Sequence, residues 1–148
     1  MKKSVFITGA HDGTGFAIAC RFASEGYAVF TGSRDPQKAA AAAAKLHEQY
    51  GVFAKGYAYQ TATLDEAEVQ AIFTDIKAQG YLLDTLVLNA ANLGIGQNSL
   101  EVDIGDFMSV YTTNIGWNFL MAREAAKHTS YLYYVKPSKT VLHHIYIT

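Results

Sequence analysis

Gly9, Gly13 and Gly15 stand in the stretch ITGAHDGTGFAIA, directly after a short apolar run and ahead of a helix-like pattern. A strand that enters a helix through a glycine turn can bind an anion. The helix N-terminus offers unpaired N–H groups and a partial positive charge, and glycines let the backbone come close to a phosphate. A pyrophosphate is the natural ligand of such a turn. The alternative is a tight connection with no ligand, a role that glycines fill equally well. His11, inside the turn, either touches a phosphate or faces solvent.

The elements around the turn decide how to weigh these readings. Short β-rich runs alternate with amphipathic stretches. Ser4–Thr8, Tyr27–Ser33, Val52–Gln60 and Thr85–Asn89 read as strands, with Gly56 weakening the third, and Thr140–Thr148 reads as a fifth. Helices are expected over Gly15–Ser24, over Gln37–Tyr50 and after a capping pair of Thr63 and Glu66. In that third helix Val69, Ile72, Phe73 and Ile76 share one face. Asp103–His128 reads as one long helix or two abutting ones. On it Phe107, Val110, Tyr111, Asn114, Asn118 and Met121 form a stripe assigned mostly to packing. Strands separated by helices imply a parallel sheet covered on both faces. The expected class is therefore α/β. It is a Rossmann-type doubly wound parallel sheet in three layers (α/β/α), truncated at about the fifth strand, with 1–148 as a single domain.

Composition narrows the partners. A net charge of −1 without basic or acidic blocks argues against nucleic-acid or membrane-surface binding driven by charge. Cys20 is the one cysteine, so no internal disulfide can form, which fits a reducing cytoplasm. The apolar run after Lys2 and Lys3 breaks at Gly9, too soon for a leader peptide.

With Thr8 before it, the turn has the spacing T-G-x-x-x-G-x-G and resembles that of the short-chain dehydrogenase/reductase family. Leu86–Asn92 is similar to that family's N-N-A-G segment, with Leu88 for the first Asn and Ala91 for Gly. Val110–His128 resembles its long fourth helix, with Asn114 at the position of the active-site asparagine. The resemblance covers about the first 128 residues. It implies a domain that binds NAD(P) and an ancestral hydride transfer between nicotinamide and a carbonyl or secondary alcohol. It places Gly9, Gly13 and Gly15 at the pyrophosphate and Thr14 beside it. Asn89, Ala90 and Ala91 fall along the adenosine ribose and nicotinamide side, although Asn89 could equally brace its own turn.

The choice of dinucleotide falls at the end of the second strand. A carboxylate there accepts from both ribose hydroxyls and repels a 2′-phosphate. Here Ser33 takes that place and Arg34 follows. An arginine can bind a 2′-phosphate in a forked contact, so NADP(H) is expected and NAD is the alternative. Asp12 and Asp35 pull the other way. Relatives that bind NADP often carry a basic residue at the position of Asp12, and a one-residue slip would make Asp35 the ribose acid. Arg34 itself has a second reading as an exposed charge leading into a helix. The family's adenine-contacting Asp is replaced by Ala62.

Carbonyl reduction needs a proton donor, which the resemblance implies is a Tyr with a Lys four residues on, aided by a Ser. No Tyr-x-x-x-Lys follows Asn114: Tyr134 is followed at the fourth place by Ser138, and Lys139 comes one residue later, beyond Pro137. Thr129–Thr148 is unlike the family, and frameshift, truncation and a divergent edge strand all account for it. His143 and His144 are adjacent and would point to opposite faces of a strand, which argues against a shared metal. Two functions are expected: an oxidoreductase by lineage, or a non-catalytic dinucleotide-binding fragment. An epimerase-like enzyme ranks behind both. Trp117, Phe119, Leu120 or Met121 is expected to be exposed and to drive homo-oligomer formation.

Overall fold

The computed structural model describes residues 3–94, 98 and 100–128. Strands β1 (Ser4–Ile7), β2 (Ala28–Ser33), β3 (Ala54–Ala58) and β4 (Thr85–Val87) form one parallel sheet in the order β3-β2-β1-β4. Helices α1 (Gly13–Ser24), α2 (Pro36–Tyr50) and α3 (Glu66–Ala78) alternate with them. A long helical stretch follows: α4 (Ile104–Tyr111), a π-helical segment (Thr112–Trp117) and α5 (Asn118–Lys127).

β1 and β2 are buried along their whole length, because both faces of the sheet are covered. Alternation then sorts their side chains. Val5, Ile7 and Val29 join Ala19, Ala23 and Leu46 in one core, on the side of α1 and α2. Phe6 and Phe30 join Phe73, Trp117 and Met121 in the other, on the side of α3 and α5. The strand order reverses between β1 and β4, so the loops after these two strands open side by side.

Gly56 does not weaken β3; it is what the packing of α2 requires. A Cβ there would run into the carbonyl carbon and oxygen of Ala39. The alanine run serves the same approach, since Ala39, Ala42 and Ala43 are buried on the sheet side of α2. The cap of α3 also differs from expectation. Asp65, not Thr63, accepts from the N–H groups of Ala67 (2.8 Å) and Glu68 (3.3 Å). Asp reaches the second and third helical N–H groups directly, and Glu66 is freed to pair with Arg123 at 2.7 Å.

The long helix buries a different stripe from the one expected. Thr113, Trp117, Leu120, Met121, Glu124 and Ala125 face inward, while Phe107 and Tyr111 are exposed. α4 buries none of its residues, and the buried face begins only inside the π-helical segment. Of Trp117, Phe119, Leu120 and Met121, Phe119 is the one exposed. Trp117 lies flat against Tyr59, ring centroids 4.9 Å apart, and is fully buried. The expected fifth strand, Tyr134, Pro137, Ser138, Lys139, His143 and His144 lie outside the described residues.

Gly56→Ala is expected to cost about 1–3 kcal/mol of folding stability, because the obstructing atoms belong to a helix backbone that cannot rotate away. Urea denaturation of the variant against the unmodified chain measures it.

Candidate dinucleotide site

β1 ends at Thr8, whose hydroxyl oxygen accepts the N–H groups of Asn89 (2.9 Å) and Ala90 (3.0 Å). This joins the loop after β4 to the turn after β1. Asn89 returns the contact: its Nδ2 donates to the carbonyls of Thr8 (3.1 Å) and Gly9 (3.2 Å). Asn89 therefore braces the glycine turn of a distant strand rather than its own backbone.

The three glycines have different reasons to be glycine. Gly9 has φ +65°, and a Cβ on it would stand 3.0 Å from the Cα of Ala90. A Cβ on Gly15 would strike the Gly9 carbonyl oxygen and come within 2.5 Å of Asn89 Nδ2. Gly13 has φ +52°, and a Cβ there would meet nothing within 4 Å. Two glycines let the turn close on its neighbours, and the third leaves open space in front of α1.

α1 begins two residues earlier than expected, at Gly13, with Asp12 at its N-cap. The carboxylates at the N-caps of α2, α3 and α4 (Asp35, Asp65 and Asp103) each accept helix N–H groups. Asp12 makes no such bond. Its Oδ2 lies 3.4 Å from His11 Nε2, and the first turn of α1 keeps N–H groups unclaimed by any side chain. His11 Nδ1 is buried and has no partner among the described residues.

A cavity of about 530 Å³ opens between these loops. Gly9, His11, Asp12, Gly13, Thr14 and Gly15 line it from the first loop; Ser33 and Arg34 from the end of β2; and Asn89, Ala90 and Ala91 from the loop after β4. Asp35 does not line it. Its Oδ1 accepts from the N–H groups of Gln37 (2.8 Å) and Lys38 (3.2 Å), which commits it to α2. Ser33 Oγ accepts the N–H of Asp35 at 3.1 Å.

Asn114 stands behind the cavity wall. Its Oδ1 accepts the N–H of Asn92 (2.7 Å) and its Nδ2 donates to the carbonyl of Asn92 (2.8 Å), as one strand pairs with another. Its own carbonyl accepts from Asn118 Nδ2 at 2.9 Å. Tyr59, Thr61, Asn92 and Thr113 also line the cavity; Thr61 falls where the sequence offers a backbone contact to adenine, and Tyr59, Asn92 and Thr113 are residues that sequence reasoning missed. Tyr59 and Thr61 lie just past β3, and Thr61 shares a 3.1 Å hydroxyl bond with Thr113 of the π-helical segment. Tyr59 accepts the N–H of Gly9 at 3.1 Å. Burial, opposed by that bond, pushes its phenol up to about 12.

The model of the family described as short chain dehydrogenase matches residues 3–132. The chain belongs to the short-chain dehydrogenase family. Its curated relatives include a 3beta-hydroxysteroid dehydrogenase of Mediterraneibacter gnavus, 31% identical over 85% of this chain and 45% of the relative. A glucose 1-dehydrogenase of Gluconobacter oxydans is 35% identical over 85% of this chain and 46% of its own. This short-chain dehydrogenase chain thus spans about half the length of the curated relatives it matches. Among solved structures, the L-sorbose reductase of Gluconobacter frateurii, described as complexed with NADPH and L-sorbose, superposes with a TM-score of 0.77. That match is 27% identical and covers 86% of this chain and 47% of the reductase. The family is one of oxidoreductases that use nicotinamide dinucleotides. The residues present fit the phosphates of such a cofactor: a helix N-terminus without a side-chain cap faces open space at Gly13.

Tyr57 is also held protonated, by burial and by its 2.7 Å bond to Asp75. Tyrosines in an unfolded chain ionise near pH 10. The contribution of these two tyrosines to stability is therefore fully present up to about pH 10. Stability is then lost as the pH rises through about 12, where Tyr59 ionises in the folded state. Urea melts between pH 8 and 12 will show this fall, and Tyr59→Phe will lessen it.

Proposed function

We propose that this chain binds NADP(H) in the cavity at the end of β1, in preference to NAD(H). The observation that carries the reading is the division of labour after β2. Ser33 and Arg34 line the cavity, while Asp35, the residue that would have selected NAD, caps α2. A guanidinium beside a hydroxyl suits a 2′-phosphate, and no carboxylate from the end of β2 opposes it. Asp12 is the contrary charge, but it sits at the α1 end of the cavity with His11 beside it. The NADPH complex of the related L-sorbose reductase supports the same reading.

In this arrangement Gly13, Thr14 and Gly15 present N–H groups to the pyrophosphate, and Ser33 and Arg34 hold the 2′-phosphate. Asn89, Ala90 and Ala91 border the adenosine ribose and the nicotinamide side. The cofactor, when bound, supplies or takes a hydride. Transfer to a carbonyl also needs a proton donor, and the 148 residues hold no Tyr-x-x-x-Lys after Asn114. Asn114, the one residue matching the family's catalytic set, has its amide engaged by Asn92. These residues are expected to bind the cofactor, and turnover of a carbonyl is not expected of them alone.

NADPH is expected to bind at least about tenfold more tightly than NADH, followed through Trp117, the sole tryptophan. Arg34→Ala should remove most of that preference and leave NADH within about twofold. No carbonyl-dependent oxidation of NADPH should accompany binding. Equal affinities in the unmodified chain would sink the assignment.

A second reading concerns assembly. Ile104, Phe107, Met108, Tyr111, Ile115 and Phe119 form an exposed apolar stripe along the long helix. Such a stripe favours self-association. Light scattering should report a dimer or larger species, shifted toward monomer by Phe107→Glu with Phe119→Glu. A monomer at micromolar concentration would refute it.

A further inference from the structure

We propose that Tyr59 is a binding residue of this site: its phenol donates a hydrogen bond to the 2′-phosphate end of the dinucleotide, beside Arg34. The inference rests on the NADP(H) reading above and adds a residue that the family motifs do not supply.

Tyr59 is almost wholly buried, yet it lines the cavity. Its ring is fixed on two sides. Trp117 stacks on it at 4.9 Å, and Gly32 of β2 lies so close that a Cβ there would overlap the ring edge. The backbone holds it as well, since the Tyr59 N–H donates to the carbonyl of Ser33 at 3.1 Å. The phenol oxygen is thereby set between the end of β1 and the end of β2.

Among the described residues, no group recorded beside that oxygen is free to accept its proton. Gly9 N–H donates to it at 3.1 Å. The Thr8 hydroxyl also acts on the phenol, but its two lone pairs already take the N–H groups of Asn89 and Ala90. It cannot accept the phenol proton, and its own hydrogen is directed to the Val87 carbonyl at 3.4 Å. Arg34 is a cation with no acceptor, and its charge acts on the phenol. Glu68 acts on it only through its charge, and its Oε2 is bonded to the Gln60 N–H at 3.0 Å. The phenol hydrogen is thus left without an acceptor among the described residues, although buried polar groups are rarely left so. The acceptor it lacks must enter the cavity.

The position names the acceptor. In a doubly wound sheet the adenosine ribose lies across the ends of the first two strands. Ser33, Arg34 and Tyr59 all line the cavity there, one hydroxyl, one guanidinium and one phenol. Three such donors suit a phosphate monoester better than a ribose hydroxyl, which must also give a proton away.

The test is calorimetric titration of the full chain and of Tyr59→Phe with NADPH and with NADH. The substitution keeps the ring, the Trp117 stack and the fit to Gly32. The expected result is a loss of about tenfold in NADPH affinity against less than about threefold for NADH. A phenol that only holds the glycine turn would weaken both ligands equally, and that outcome overturns the proposal while sparing the NADP(H) reading. If the unmodified chain binds neither ligand, or both alike, the NADP(H) reading fails and this proposal with it. Should the variant fold poorly, the unmodified chain decides. Its Tyr59 ring resonance, identified by its contact with the Trp117 indole, should shift with 2′-AMP and not with 5′-AMP. A resonance that ignores 2′-AMP also overturns it.

Discussion

Everything in the site hangs from the Thr8 hydroxyl. It lies fully buried at the point where the strand order reverses, and its oxygen accepts the two N–H groups that lead out of β4. Those bonds set the loop after β4 against the loop after β1. Only then can the Asn89 amide reach the carbonyls of Thr8 and Gly9, where it adds to the crowding that already keeps Gly15 without a side chain. A valine at this position would have the same shape and no acceptor, leaving two part-buried N–H groups without their partner at about 1 kcal/mol each. The glycine turn is thus the visible part of a hydrogen-bonded clamp between two strand ends.

The far wall depends on the long helix. Its π-helical segment carries Thr113, Asn114 and Trp117, and each meets a different part of the cavity wall: Thr61, Asn92 and Tyr59. A π-turn inside a helix often coincides with a functional site, because it re-aims side chains that a regular helix would point elsewhere. The same segment sets where burial begins. α4 lies outside the core, while α5 contributes Met121 and Ala125 to it.

Aspartates show how position decides the role of a residue type. Asp35, Asp65 and Asp103 each fold back onto the helix they precede and satisfy its N–H groups. Asp12 sits at the same kind of position with its backbone fully extended, and its carboxylate faces His11 instead. One helix N-terminus out of these four keeps its N–H groups free of a side-chain cap. It is the one that opens on the cavity.

Much of this was legible before any coordinates. The β-α alternation, the core face of Val69, Ile72, Phe73 and Ile76, and the family motifs at Gly9, Asn89 and Asn114 are local patterns. Spacing and residue type alone determine such patterns, since helix and strand periods are properties of the backbone. Tertiary structure decided the rest. Whether Gly56 weakens a strand or admits α2 depends on Ala39, and whether Asp35 selects a cofactor or caps a helix depends on where its carboxylate turns. The buried stripe of the long helix, the spent amide of Asn114 and the stranded phenol proton of Tyr59 are also of this kind. Each depends on which groups from other elements stand within hydrogen-bond or van der Waals reach. The partners come from far along the chain, 81 residues apart for Asn89 and Thr8. Periodicity sets which way a side chain leans, but only the packed sheet and helices bring up the atom it meets.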